Sequence, residues 1–105
     1  MLESCTIDLF GSLRLQMPDR SITRFHTRKI ASLLATLAYH RNRAFRREEL
    51  IEIIWPDCDP ESGRNRLRIA LCGLRNDLES VGAPAPLLVA DRMHVHLDPE
   101  AFQTD

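Results

Sequence analysis

A chain of 105 residues with 44% hydrophobic content has the make-up of one folded domain with a single modest core, and not that of a disordered segment. No apolar run approaches the roughly 20 residues of a membrane-spanning helix, and the first residues carry no signal-peptide pattern. Net charge is −1, which speaks against a nucleic-acid binder until its distribution is read: residues 20–75 hold twelve of the fourteen bases against six acids, a net of +6, while the rest of the chain carries −7.

Residues 5–10 alternate Cys5, Ile7 and Leu9 against Thr6, Asp8 and Phe10, the pattern of a half-buried strand. After a Gly11–Ser12 turn, Leu13, Leu15 and Met17 alternate again, and Pro18–Asp19–Arg20 turns the chain into a short strand near Ser21 to Phe25. The chain thus opens with an antiparallel meander. A helix follows from about Thr27, its N-cap, to His40, with Ile30, Leu33, Leu34, Leu37 and Ala38 on the core face. Residues 43–46 form a connecting strand. A shorter helix, Arg47 to Trp55, buries Leu50, Ile51, Ile54 and Trp55 and ends before Pro56, because a residue preceding proline avoids the helical region.

The stretch from Asp59 to Gly82 predicts a long third helix. Asp59 is its N-cap, Pro60 suits the first helical position, and Glu61 adds negative charge at the positive end of the dipole. Gly82 can take the left-handed closing conformation, and Pro84 and Pro86 prevent continuation. Gly63 lowers helix propensity near the start. Leu67, Leu71, Leu74 and Leu78 stack on one face. Arg64, Arg66, Arg68 and Arg75 surround that stripe, and Asn65, Ile69, Cys72 and Asn76 point away from it. Finally, Leu87 to Ala90 and Met93 to Leu97 form a hairpin about an Asp91–Arg92 turn, with Val95 and Leu97 on one side and His94 and His96 on the other.

A leucine-anchored helix that offers guanidinium and amide groups outward is equipped for a DNA groove, since arginine pairs bidentately with guanine or phosphate and asparagine with adenine. Thirteen of the fourteen bases are arginine, and the competing explanation is the codon bias of a GC-rich genome. Helices joined by a short loop and followed by a hairpin form a winged helix-turn-helix, an α+β fold in which the third helix enters the major groove and the wing reaches the backbone or minor groove.

The segments IDLFGSLRL, TRKIASLLATLAYH, REELIEIIWPD, SGRNRLRIALCGLRNDL and LLVADRMHVHLDPEAF resemble the DNA-binding domain of response-regulator transcription factors, and more closely the N-terminal module of the SARP family of bacterial transcriptional activators. The resemblance covers nearly the whole chain. It implies sequence-specific binding to duplex DNA, with two copies on a direct repeat, and contact of the loop 56–61 with RNA polymerase. It also implies a winged-helix domain over residues 1–98, with 99–105 as the start of a linker to a C-terminal domain. Against the family pattern, Arg46 replaces a serine cap worth about 1 kcal/mol. Gly73 and Asn76 stand where relatives usually carry arginine, and the wing lacks a glycine-rich turn and a tyrosine.

The candidate DNA contacts are Arg64, Arg66 and Arg68, with Asn65 on a base edge and Ile69 on a thymine methyl or simply exposed. Arg75 either clamps a phosphate or pairs with Glu79, and Asn76 lies beside it. Arg28 and Lys29 begin the first helix, and Arg46 and Arg47 begin the second, where free N–H groups favour an anion. Arg92 sits at the wing tip. His94 and His96 form an HxH pair with no cysteine or carboxylate spacing to complete a zinc site. There is no glycine-rich phosphate loop, serine elbow or paired carboxylate in an apolar context, so neither enzyme nor cofactor is expected. Cys5, Cys58 and Cys72 are odd in number and lack a CxxC, which reads as reduced thiols in a cytoplasmic protein. The rival reading is a winged helix that docks other proteins without touching DNA.

Overall fold

Ile7 and Leu15 face each other across the first pair of strands, β1 (Thr6–Asp8) and β2 (Arg14–Gln16), and both are fully buried. The computed structural model describes residues 5–104, the Pro86 side chain excepted. The two strands are shorter than their alternation suggests. Phe10 is exposed in the turn, and Gly11 takes the left-handed conformation there with φ of 80°. Beside this turn, Asp8 and Arg14 are direct cross-strand partners and form an ion pair at 2.9 Å. The Met17 N–H donates to the Arg20 carbonyl at 2.7 Å and turns the chain into β3 (Ser21–Ile22).

The first helix, α1 (Arg28–Tyr39), starts where Thr27 Oγ1 accepts from the Ile30 N–H at 3.1 Å. Its five predicted core residues are all buried. After β4 (Phe45–Arg46) comes α2 (Arg47–Ile54), capped at its end by Trp55. Arginine has no oxygen to accept from an amide, so Arg46 cannot cap α2 with its side chain. Half of a capping box survives nonetheless, because the Glu49 carboxylate accepts from the Arg46 N–H at 3.0 Å.

The third helix, α3 (Pro60–Ser80), is sealed at both ends. Asp59 Oδ1 accepts from the Ser62 N–H at 2.8 Å. At the other end Gly82, with φ of 76°, allows its own N–H to reach the Glu79 carbonyl and the Ala83 N–H to reach that of Leu78, a Schellman closure. Leu67, Ala70, Leu71, Leu74 and Leu78 are buried along one face, and each such leucine stabilises the fold by about 1.5–3 kcal/mol.

The two helical glycines mark helix crossings. A β-carbon at Gly63 would stand 2.5 Å from Ile51 Cγ2 on α2, and one at Gly73 would stand 2.5 Å from Ile30 Cδ1 on α1. Gly73 therefore faces α1, so the missing arginine there takes no charge from the outward face of α3.

A 3₁₀ turn (Ala85–Leu87) leads into β5 (Leu88–Ala90) and β6 (His94–Leu97). The two central residues of the hairpin turn are Arg92 and Met93, one step beyond the expected pair, since Ala90 opposes Val95 and the Asp91 N–H donates to the His94 carbonyl. β4 joins the hairpin as a third strand, in the order β4-β6-β5, with buried Phe45 opposite buried Val95.

The segment expected to begin a linker is folded onto the first sheet. Phe102 is buried, and β7 (Gln103–Thr104) pairs in parallel with β1, giving the order β3-β2-β1-β7. The Gln103 N–H donates to the Cys5 carbonyl at 2.8 Å, and Arg41 donates to the carbonyls of Pro99 and Phe102 while lying 4.6 Å from the Phe102 ring centroid. A parallel pair needs a long crossover. Here the crossover is the whole helical part of the chain.

Candidate nucleic-acid interface

The N-terminal half of α3 and the start of α2 enclose a concavity of about 740 Å³ lined by Arg47, Glu61, Ser62, Arg64, Asn65, Leu67 and Arg68. Asp59 and Pro60 fix where α3 begins, and the buried leucine stripe fixes its rotation, so residues 61, 64, 65 and 68 turn outward together. Arg47 enters from α2 and is tied to the hairpin, because its Nε donates to the Asp91 carbonyl at 2.8 Å and its backbone N–H donates to the Met93 carbonyl at 3.0 Å. The hairpin tip is itself set by Asp91, whose Oδ1 accepts from the N–H groups of Met93 and His94 at 2.8 and 2.7 Å.

A second groove of about 240 Å³, lined by Thr27, Lys29, Ile30, Trp55, Arg66, Ile69 and Ala70, brings Lys29, Arg66 and Ile69 together where α1, α3 and the end of α2 meet. Ile69 is 57% exposed. Lys29 spends one donor on the fold: its Nζ donates to the Ile54 carbonyl at 2.7 Å, where free carbonyls end α2.

The other predicted contacts lie outside both hollows. Arg28 is exposed at the start of α1, and Arg92 is exposed on the hairpin tip. Arg75 and Asn76 are exposed further along α3, and the ion pairs among the described residues do not join Arg75 to Glu79. Arg46 is exposed with its Nε 3.6 Å from Glu49. The start of α2 is less open to an anion than its sequence suggests. Glu49 already takes the Arg46 N–H and an Arg43 guanidinium, and the Met93 carbonyl takes the Arg47 N–H. An anion there would rely on the arginine side chains.

Three carboxylates around this surface stay ionised with extra security. The Arg46 N–H holds Glu49 below the usual carboxylate range, the Ser62 N–H does the same for Asp59, and the His94 and Met93 N–H groups do so for Asp91. His94 and His96 gather no metal set, and the described residues hold no group of three or more His, Cys, Asp and Glu side chains placed for one. Glu61 and Ser62 also line the hollow, beyond the residues expected from sequence. The signal for Glu61 was its place one turn before Asn65 and two before Arg68, a spacing that its role at the helix dipole concealed.

Residues 25–92 match the family model described as transcriptional regulatory protein, C terminal. The chain belongs to this family. A member of the transcriptional regulatory protein C-terminal family is a DNA-binding domain of a transcription regulator. The chain is also similar to a solved structure of Mycobacterium tuberculosis EmbR in complex with a low affinity phosphopeptide, at 24% identity and a TM-score of 0.75. That likeness covers 90% of this chain and 25% of the EmbR chain, so this family member spans about a quarter of EmbR's length and shares its fold. No curated protein matches the chain. None of the helices among the described residues is long and apolar enough to cross a membrane.

Proposed function

We propose that this domain binds duplex DNA sequence-specifically as part of a SARP-like bacterial regulator acting in the cytoplasm, with α3 in the major groove and the β5–β6 wing on the backbone or minor groove. The observation that carries the reading is the concavity in which Arg47, Arg64 and Arg68 converge beside the wing tip. Guanidinium groups from two helices on one open surface suit phosphates on either side of a groove. Arg28, Lys29, Arg46, Arg66, Arg75 and Arg92 extend the same footprint, with Asn65, Ile69 and Asn76 turned to the bases.

Two copies on a direct repeat, and contact of the segment 56–61 with RNA polymerase through Asp57 and Asp59, complete the proposal. The rival, a module that only docks proteins, draws on the exposed apolar side chains of Tyr39 and Ile53.

Selection of bound sequences from a randomised duplex pool at two salt concentrations decides between them. Enrichment of a repeated half-site is the expected result, with the log–log salt slope steepening by about 0.9 for each phosphate neutralised. No retention at low salt would sink the DNA reading.

A further inference from the structure

Glu61, Asn65 and Arg68 stand at i, i+4 and i+7 on α3, one stacked row, and all three line the same concavity. The row is chemically polarised. Asn65 Oδ1 accepts from Arg68 Nη2 at 2.6 Å. An asparagine that reads adenine uses that oxygen to accept from N6 while its amide nitrogen donates to N7. Arg68 occupies one lone pair of the oxygen and draws it toward the next turn of α3. What Asn65 and Arg68 then offer outward is chiefly N–H donors. Guanine is the base whose major-groove edge shows two acceptors, O6 and N7.

Glu61 is the opposite case. Its carboxylate is exposed, and none of the ion pairs among the described residues includes it. An acceptor-only group at the mouth of a DNA-facing hollow repels phosphate and pairs with the amino group N4 of cytosine. Seven residues of α3 rise about 10.5 Å, close to three base-pair steps.

Resting on the reading of α3 as the groove helix, we propose that this row is a specificity element for G·C pairs: Arg68, braced by Asn65, donates to guanine, and Glu61 accepts from cytosine N4 on a base pair about three steps away. Asn65 is then a positioning residue rather than an adenine reader.

The test repeats the duplex selection with the parent, Glu61→Gln and Asn65→Ala, after circular dichroism has matched the three folds. Glutamine pairs bidentately with adenine, so Glu61→Gln is expected to convert one position of the enriched site from cytosine toward adenine, a change of about fivefold or more. Asn65→Ala is expected to weaken guanine selection at a different position. An Asn65→Ala profile that loses an adenine instead, or a Glu61→Gln site identical to the parent's, would overturn this inference and leave the groove reading standing. A parent that enriches nothing would overturn both.

Discussion

Ile51 and Gly63 meet where α2 crosses α3, and the glycine hydrogen occupies space that a methyl group cannot share, since an added β-carbon would lie 2.5 Å from Ile51 Cγ2. That methyl sits on the branched carbon of a buried side chain and has little room to swing. Gly63→Ala is therefore expected to destabilise the domain by about 1–3 kcal/mol through overpacking. Gly73→Ala meets only Ile30 Cδ1, the free end of its side chain. There the gain in helix propensity, about 1 kcal/mol, offsets the repacking. Thermal unfolding of both variants checks the contrast, and equal losses would mean that the two crossings are equally rigid.

Arg41 is expected to act as a latch on β7. Removing it in Arg41→Ala strips donors from the Pro99 and Phe102 carbonyls and a cation from the Phe102 ring. Amide exchange at Gln103, whose N–H bonds to the Cys5 carbonyl, should accelerate markedly while exchange in α3 stays slow. Unchanged protection at Gln103 would show that the strand pairing holds without the latch.

Asp77 is buried on α3 and accepts from both the backbone N–H and Nδ1 of His26, at 2.9 and 3.1 Å. It holds the approach to α1 against α3. Asp77→Ala leaves the His26 N–H without its acceptor, for an expected loss of about 1–3 kcal/mol in urea unfolding. Asp77→Asn keeps a carbonyl oxygen and should lose less.

Acid should act through the caps. Glu49, Asp59 and Asp91 have folded pKa values below their ordinary ones. The stability they contribute is complete above the unfolded values, near about pH 4, and disappears as pH falls through the folded values. The melting temperature should hold level down to about pH 5 and drop below about pH 4. The double variant Asp59→Ala with Asp91→Ala should start lower and fall less steeply. A parallel descent would assign the acid sensitivity elsewhere.

The cysteines should separate by reactivity. Burial pushes the Cys5 thiol up to about 11, whereas Cys72 is exposed on α3. At pH 8 an alkylating reagent should label Cys72 and leave Cys5 untouched in the folded chain, with peptide mass spectrometry as the readout. Labelling of Cys5 at the rate of Cys72 would indicate that β1 opens readily.

Much of this was legible in the chain itself. Leucine periodicity, Asp59, Pro60 and Gly82 define α3 almost to the residue, and Thr27 defines the start of α1, because caps and amphipathic spacing are local properties. The strand at Gln103–Thr104 was not legible. Two polar residues carry no alternation, and their partner lies nearly a hundred residues earlier.

The arginine count pointed to a basic surface, but only the folded structure assigns the individual side chains. Arg20 donates to the Ser80 carbonyl at the end of α3, Lys29 closes α2, Arg41 latches β7, and Arg43 lies against Phe45 and Glu49. Of the remaining cations, Arg47, Arg64 and Arg68 line one hollow. The helices and their outward faces follow from sequence, since each is decided within a few turns of its own chain. Which cations serve the fold and why glycine stands at 63 and 73 follow from where the helices cross and where side chains meet, because proximity in space is a product of packing.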